Sequence, residues 1–414
     1  MLTTRRIFAT VAVVTLGLLA AASTYGQDLK SGQARLATSA QFRTTDYMVP
    51  HISTLPANAG SWVELFLREK VARSGPPQRP VVLMLHGSVS PAVPTFDLGF
   101  ENYSWMESLA NAGFDVFAFD HTGYGLSPRP MMDNPCNVSE AEQKQYLVGT
   151  TLAQTCTPSH PFQLSTLASD VDEVDRIVDY IRELRGVEKV HLLGWSRGGN
   201  RAGAYAAKYP KKIDRMLLLA PGAYFSAQGP FTPPSPLPQP GVPVTITGVN
   251  DIHNGWDTQV GCPNQYSPLI RDYINWFILT FDPTGSTWGR SGVRRAPTLN
   301  RDPLWYPWNK VEAAKVVTPT LLINGDLDKT VAPMQVSWLY DDLVAVPQKI
   351  LVRVACASHL MIWETQHEVL FDTAVEWLQK GTFKGQTSGK FAVDSKGQVQ
   401  RESTAIPAST PVRQ

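Results

Sequence analysis

Val190-His191-Leu192-Leu193-Gly194-Trp195-Ser196-Arg197-Gly198-Gly199-Asn200 is the stretch from which the rest of the chain can be read. A short apolar run (190–193) ends on a glycine, and a small-residue segment (199–209) then runs to Pro210. The order is strand, sharp turn, helix. In a G-x-S-x-G turn of this kind the central serine projects its hydroxyl from the top of the sheet. The backbone closes that tightly only when the residues two before and two after are small. Gly194 and Gly198 meet that need around Ser196. The helix N-terminus just behind brings partial positive charge to the place where an oxyanion would form. Without its context the pattern is weak, since a glycine-rich turn can carry an ordinary serine; between a strand and a helix it is strong.

Further apolar runs lie at 81–85, 114–119, 216–219, 320–323 and 350–354. Short continuous runs mark strands buried on both faces, as in parallel sheets. Val63, Leu65 and Leu67 instead alternate with polar residues, as in a half-buried antiparallel strand. Between the runs, residues 164–184 set Leu167, Val171, Val174, Ile177, Val178 and Ile181 at helical spacing. Asp170, Asp172, Glu173 and Asp175 are expected on the opposite face and in the first turns, where the helix dipole favours acids. Residues after Pro333 and residues 364–379 also read as helices. Strands alternating with helices predict an α/β fold with a mostly parallel sheet covered on both faces.

Two segments break this rhythm. Residues 128–162 hold two of the four cysteines, and residues 221–319 lie between two strands. The longer one opens with eight prolines between 221 and 243 and carries Trp256, Trp276, Trp288, Trp305 and Trp308. A structureless loop of that length is improbable, so a small subdomain is expected. Its tryptophans suit either an aromatic wall over a site or the subdomain's own core. The predicted division is therefore a signal at 1–26, core at 40–220, cap or lid at 221–318, core again at 319–380, and a polar tail at 381–414. Within that tail, residues 390–399 read as a hairpin.

With 37 Lys and Arg against 36 Asp and Glu, the net charge is +1, which excludes a general electrostatic grip on nucleic acid. Arg5 and Arg6 precede an apolar run at 7–22 that ends in small residues, the plan of a secretory signal. Thr4-Arg5-Arg6-Ile7-Phe8 resembles the twin-arginine export signal. The run is shorter than the roughly twenty residues a spanning helix needs, so an uncleaved anchor is the lesser reading. The expectation is a periplasmic or secreted protein without stable membrane insertion once the signal is removed. In an oxidising compartment the cysteines can pair; Cys136 and Cys156, which bracket the first insertion, are the expected pair. No close Cys or His spacing suggests a metal site, and no cofactor is expected.

Several motifs in order resemble the α/β-hydrolase superfamily over roughly residues 63–378. His86-Gly87-Ser88 is similar to its oxyanion loop. Asp120-His121-Thr122-Gly123-Tyr124-Gly125-Leu126-Ser127 is similar to its D-x-x-G-x-G-x-S turn, and Gly325-Asp326-Leu327-Asp328 to its acid loop. Ser358-His359 falls where the family carries its histidine. The resemblance implies Ser196 as nucleophile, His359 as base and Asp328 as acid, with Asp326 as the alternative acid, and an oxyanion hole from the backbone of Ser88 and Arg197. His86 and His121 are expected to be structural. The Arg197 side chain is expected to pair with an acid away from the site.

The expected function is an exported serine hydrolase acting on a small to medium apolar carboxylic ester or lactone, with a small ester-like molecule as its partner. Ser196 argues against relatives that use Asp at this turn. An aminopeptidase or amidase of the proline-iminopeptidase type is the alternative within enzymes. A catalytically inactive binding protein on the same fold is the alternative outside them.

Overall fold

The computed structural model describes residues 41–88, 90–222, 224, 239–299 and 308–402. The signal read at 1–26, Trp305, most of the proline-rich opening of the second insertion, and the tail after 402 lie outside the described residues.

The strands are β1 (Phe42–Ile52), β2 (Trp62–Ala72), β3 (Val81–Leu85), β4 (Asp115–Phe119), β5 (Val190–Trp195), β6 (Ile213–Leu219), β7 (Val244–Gly248), β8 (Val293–Pro297), β9 (Thr320–Gly325), β10 (Lys349–Val354), β11 (Gly389–Val393) and β12 (Val399–Arg401). Ten of them form one sheet in the order β1-β2-β4-β3-β5-β6-β9-β10-β11-β12. From β4 to β11 every pairing is parallel, whereas β1, β2 and β12 join antiparallel. β3 and β4 are buried at every position, as continuous apolar runs require. Along β2 exposure alternates only over the first few residues before the strand dives into the sheet.

The main helices are α1 (Ala92–Phe96), α2 (Trp105–Asn111), α3 (Leu167–Arg185), α4 (Arg197–Lys208), α5 (Val249–Asp257), α6 (Pro268–Thr280), α7 (Pro333–Asp342) and α8 (His367–Lys380). α2 and α8 cover one face of the sheet; α3, α4 and α7 cover the other. α3 starts at a Thr166 cap that accepts from Ser169 N–H and ends on Gly186 in the left-handed region.

Three expectations need correction. The helix read from residue 364 begins at His367, because Glu364 is buried and spends its carboxylate on neighbouring loops rather than on a helix turn. Asp170 and Glu173 of α3 do not face solvent: they are buried against Arg197, Arg201 and His121, polar partners that periodicity cannot reveal. The polar region after 380 is also not wholly outside the core, since β11 pairs parallel with β10 and buries Phe391 and Val393.

The first insertion and the β7–β8 part of the second share one body, while α6 packs through Ile270, Ile274 and Ile278 into a main core cluster. β7 and β8 make an antiparallel pair, and the first insertion joins it through bridges Val138–Val244 and Phe162–Pro240. Leu147, Val138, Leu164, Val244, Ile246, Trp288 and Val293 share an apolar core there. Cys136 and Cys156 are disulfide-bonded within the first insertion. Cys262 is bonded to Cys356, which ties the second insertion to the loop after β10.

Candidate active site

The turn after β5 has the shape its glycines suggest. Ser196 holds φ 54° and ψ −119°, a strained left-handed conformation for a residue with a side chain. A Cβ on Gly194 would strike the Gly198 carbonyl, and one on Gly198 would strike the carbonyl of Leu85. Ser196 N–H donates to Leu219 O at 2.9 Å, and Gly222 N–H donates to Ser196 O at 3.1 Å, so β6 and the residues after it brace the turn.

The loops after β5, β9 and β10 bring three side chains into line. Ser196 Oγ donates to His359 Nε2 at 2.9 Å, and His359 Nδ1 donates to Asp328 Oδ2 at 2.9 Å, the roles following from the tautomer that serves both bonds. Asp328 Oδ1 accepts from Thr330 N–H at 2.8 Å and from Val331 N–H at 2.7 Å. The acid is thereby held while remaining buried. Asp326, on the same loop, is partly exposed and accepts from Arg353 Nε at 2.9 Å.

Ser196, Ser88, Arg197, Gly222, Val331 and His359 share a cavity of about 360 Å³. The cap closes it with Trp256, Ile252, Gln259 and Arg294, and Leu299 adds a further apolar side chain. Of the described tryptophans in the second insertion, only Trp256 lines it. Trp288 belongs to the cap core, Trp308 packs beside Gly203 in the main core, and Trp276 is exposed. Arg294 donates to Thr247 Oγ1 at 2.9 Å; burial lowers its pKa to about 10, so it is cationic at neutral pH.

Beneath the turn lies a buried polar layer. Arg197 Nη2 donates to Asp170 Oδ2 and to Ser165 Oγ, each at 3.0 Å, and so turns its charge away from the serine. Arg201 Nε donates to the same Asp170 oxygen at 2.9 Å, and its Nη1 donates to His86 O at 2.9 Å. Burial pushes the Asp170 carboxyl up, but the two guanidiniums beside it overcome this and leave it below its ordinary value. Glu173 is pushed up to about 8 by burial and by the charge of Asp170. His121 is driven well below its ordinary value by burial and by Arg201. Its 2.8 Å contact with Glu173 is therefore, at neutral pH, a hydrogen bond between two uncharged groups rather than an ion pair. His121, Asp170 and Glu173 are the one group of potential metal donors among the described residues. Asp170 of that group is already bonded to Arg197 and Arg201.

Asp120 pins the D-x-x-G-x-G-x-S turn by accepting from Ala92 N–H at 2.7 Å and from Leu126 N–H at 2.9 Å. A Cβ on Gly125 would overlap its carboxylate. His86 and His121 are buried within this framework.

Three residues that the sequence alone does not single out anchor the histidine. Trp195 Nε1 donates to His359 O at 3.0 Å, Gln259 Oε1 accepts from His359 N–H at 3.3 Å, and Glu364 accepts from Ser358. Trp195 adjoins Ser196 in the chain, but nothing in the sequence joins Gln259 or Glu364 to residue 359.

A parallel sheet covered on both faces, with a serine on a strained turn after its central strand, defines the α/β-hydrolase fold. Residues 80–243 match the family model described as alpha/beta hydrolase fold, and the chain has that fold. Among curated relatives, a 2-hydroxy-6-oxononadienedioate/2-hydroxy-6-oxononatrienedioate hydrolase of Paraburkholderia phymatum is 26% identical over 145 residues, covering 35% of this chain and 37% of that one. The human serine hydrolase BPHL is 30% identical over 119 residues, covering 29% and 30%. The matches thus span well under half the length of these relatives. Among solved structures, a thermophilic esterase from Thermogutta terrifontis is 18% identical with a TM-score of 0.47, covering 81% of this chain and 98% of that one.

Proposed function

We propose that this protein is an exported serine hydrolase that cleaves a small to medium, largely apolar carboxylic ester or lactone through an acyl-enzyme on Ser196. The observation that carries this reading is the unbroken relay from Ser196 Oγ through His359 to Asp328, with both hydrogen bonds at 2.9 Å. As Ser196 Oγ attacks the carbonyl carbon, His359 Nε2 takes its proton, and Asp328 fixes the tautomer and stabilises the imidazolium. The oxyanion is held by the backbone N–H groups of Arg197 and Ser88, each such donor contributing about 3 kcal/mol. The carbon–oxygen bond to the alcohol breaks as His359 returns the proton to it. Water, deprotonated by the same histidine, then releases the acid and restores Ser196. Every group this chemistry calls for belongs to the chain itself.

The cavity supports the substrate class: Trp256, Ile252, Val331 and Leu360 give it apolar walls. The peptidase alternative calls for cap acids that bind an amino terminus. Asp251, the cap acid at the cavity, already accepts from Tyr146 Oη at 2.5 Å and from Gly248 N–H at 2.9 Å. An inactive binding protein would have no need of an assembled relay. Two disulfides suit an oxidising compartment and support export.

A fluorophosphonate probe should label the wild type and leave Ser196→Ala unlabelled, and p-nitrophenyl butyrate should be hydrolysed while a prolyl anilide is not. An unlabelled wild type would sink the serine-hydrolase reading.

A further inference from the structure

His359 ends a short turn that begins at Cys356, and the cap grips this turn at several points. Cys356, three residues before the histidine, is covalently bound to Cys262. It holds φ 56°, which a residue with a side chain keeps only when its surroundings enforce it. Gln259 Oε1 accepts from His359 N–H at 3.3 Å and from Lys329 N–H at 3.0 Å, so one carboxamide joins the loop of the base to the loop of the acid. Its Nε2 donates to Thr330 Oγ1 at 3.4 Å, and Thr330 N–H in turn donates to Asp328.

Ser358 is held just as closely. Its N–H and Oγ donate to the two oxygens of buried Glu364, at 2.7 Å and 2.5 Å. Glu364 Oε1 also accepts from two cap residues, Trp256 Nε1 at 2.8 Å and Gln265 Nε2 at 2.9 Å. Gln265 closes the circuit by donating to Gln259 O at 3.1 Å and accepting from Cys262 N–H at 3.3 Å. Besides these cap contacts, the sheet side contributes Trp195 to the His359 carbonyl and Leu327 N–H to the Ala357 carbonyl at 2.9 Å.

We propose that the connection between α5 and α6, through Gln259 and the Cys262–Cys356 disulfide, is a positioning element for His359, so that turnover depends on that disulfide being intact. The proposal rests on the reading of Ser196, His359 and Asp328 as the reacting groups. It makes this end of the cap a fixed support of the base rather than a lid that lifts away. The physical reason is the steep dependence of proton transfer on geometry: a misplacement of about 1 Å costs on the order of a hundredfold in rate.

The two disulfides provide an internal control. Cys262→Ser/Cys356→Ser and Cys136→Ser/Cys156→Ser each lose one crosslink, but only the first lies on the histidine turn. With p-nitrophenyl butyrate, the first pair is expected to lose about tenfold to a hundredfold in kcat with KM changed less than about threefold. The second pair should keep kcat within about twofold, even if its Tm falls. Treating folded wild type with the phosphine reductant TCEP should reproduce the kcat loss, which covers the case in which the first pair does not fold. Gln259→Leu should lower kcat about tenfold with the disulfide in place and with KM changed less than about threefold. Equal kcat losses in the two Cys→Ser pairs, or full kcat in reduced wild type, would overturn the proposal while leaving the serine-hydrolase reading standing. A wild type that neither labels with fluorophosphonate nor hydrolyses the ester would remove both.

Discussion

Asp328 Oδ2 lies 2.9 Å from His359 Nδ1, while Asp326, two residues earlier on the same loop, pairs with Arg353. The two acids are close in sequence and differ entirely in what they can do. Asp328→Asn keeps the shape of the loop but offers His359 the wrong partner, since an amide does not stabilise an imidazolium. Its kcat on p-nitrophenyl butyrate is expected to fall about 10³- to 10⁴-fold. Asp326→Asn should remain within about twofold of wild type. Activity lost in Asp326→Asn alone would reassign the acid.

Gly198 sets the height of the Ser196 turn against β3. The Leu85 carbonyl occupies the space where a side chain would begin, and that atom is backbone in the sheet centre. Gly198→Ala is expected to cost about 1–3 kcal/mol in urea denaturation and to reduce fluorophosphonate labelling, because relief requires the strand or the turn to move. Gly255 is the control: a Cβ added there would meet no atom within 4 Å, and Gly255→Ala should leave the urea midpoint near that of wild type.

Asp170 places one carboxylate against two buried guanidiniums, those of Arg197 and Arg201. Asp170→Ala would leave both cations in the interior with that countercharge removed. Unfolding free energy should fall by about 3–5 kcal/mol. Disrupting the exposed pair Lys144–Glu140 by Glu140→Ala should leave the urea midpoint unchanged.

Glu173 gives the fold a pH dependence of a definite sign. Its folded pKa is raised to about 8, above the ordinary carboxylate value, so the folded state holds a proton that the unfolded chain releases. The stabilisation is fully present below the unfolded pKa and is lost as pH rises through the folded value. Wild-type Tm should therefore decline between about pH 5 and pH 9 more steeply than that of Glu173→Gln, which stays neutral throughout. Parallel curves for the two proteins would contradict the assignment.

Much of this architecture can be read from the residues, and the reasons are local. Buried parallel strands need continuous apolar runs, so β3, β4, β5, β6, β9 and β10 stand out along the chain. The Ser196 turn needs two glycines at fixed offsets, and that requirement appears as a motif. What stays hidden depends on partners distant in sequence. Asp170 and Glu173 read as solvent-facing acids because helical periodicity ranks residues by polarity and takes no account of Arg197, Arg201 or His121. Glu364 reads as the start of a helix because a carboxylate gives no sign of the four donor atoms, from Ser358, Trp256 and Gln265, that surround it.

By itself the sequence determined the α/β order of elements, the serine on its turn, and the loops that carry the histidine and the acid. The first two follow from steric and burial requirements met within a few residues, and the two loops from their resemblance to the α/β-hydrolase pattern. Only the tertiary structure decided which acid of the 326–328 loop meets His359. It also decided that Trp256, rather than Trp276, Trp288 or Trp308, lines the cavity, and that Cys262 reaches Cys356. Those outcomes depend on how loops separated by tens to hundreds of residues meet above the sheet, and that meeting is set by packing rather than by any pattern along the chain.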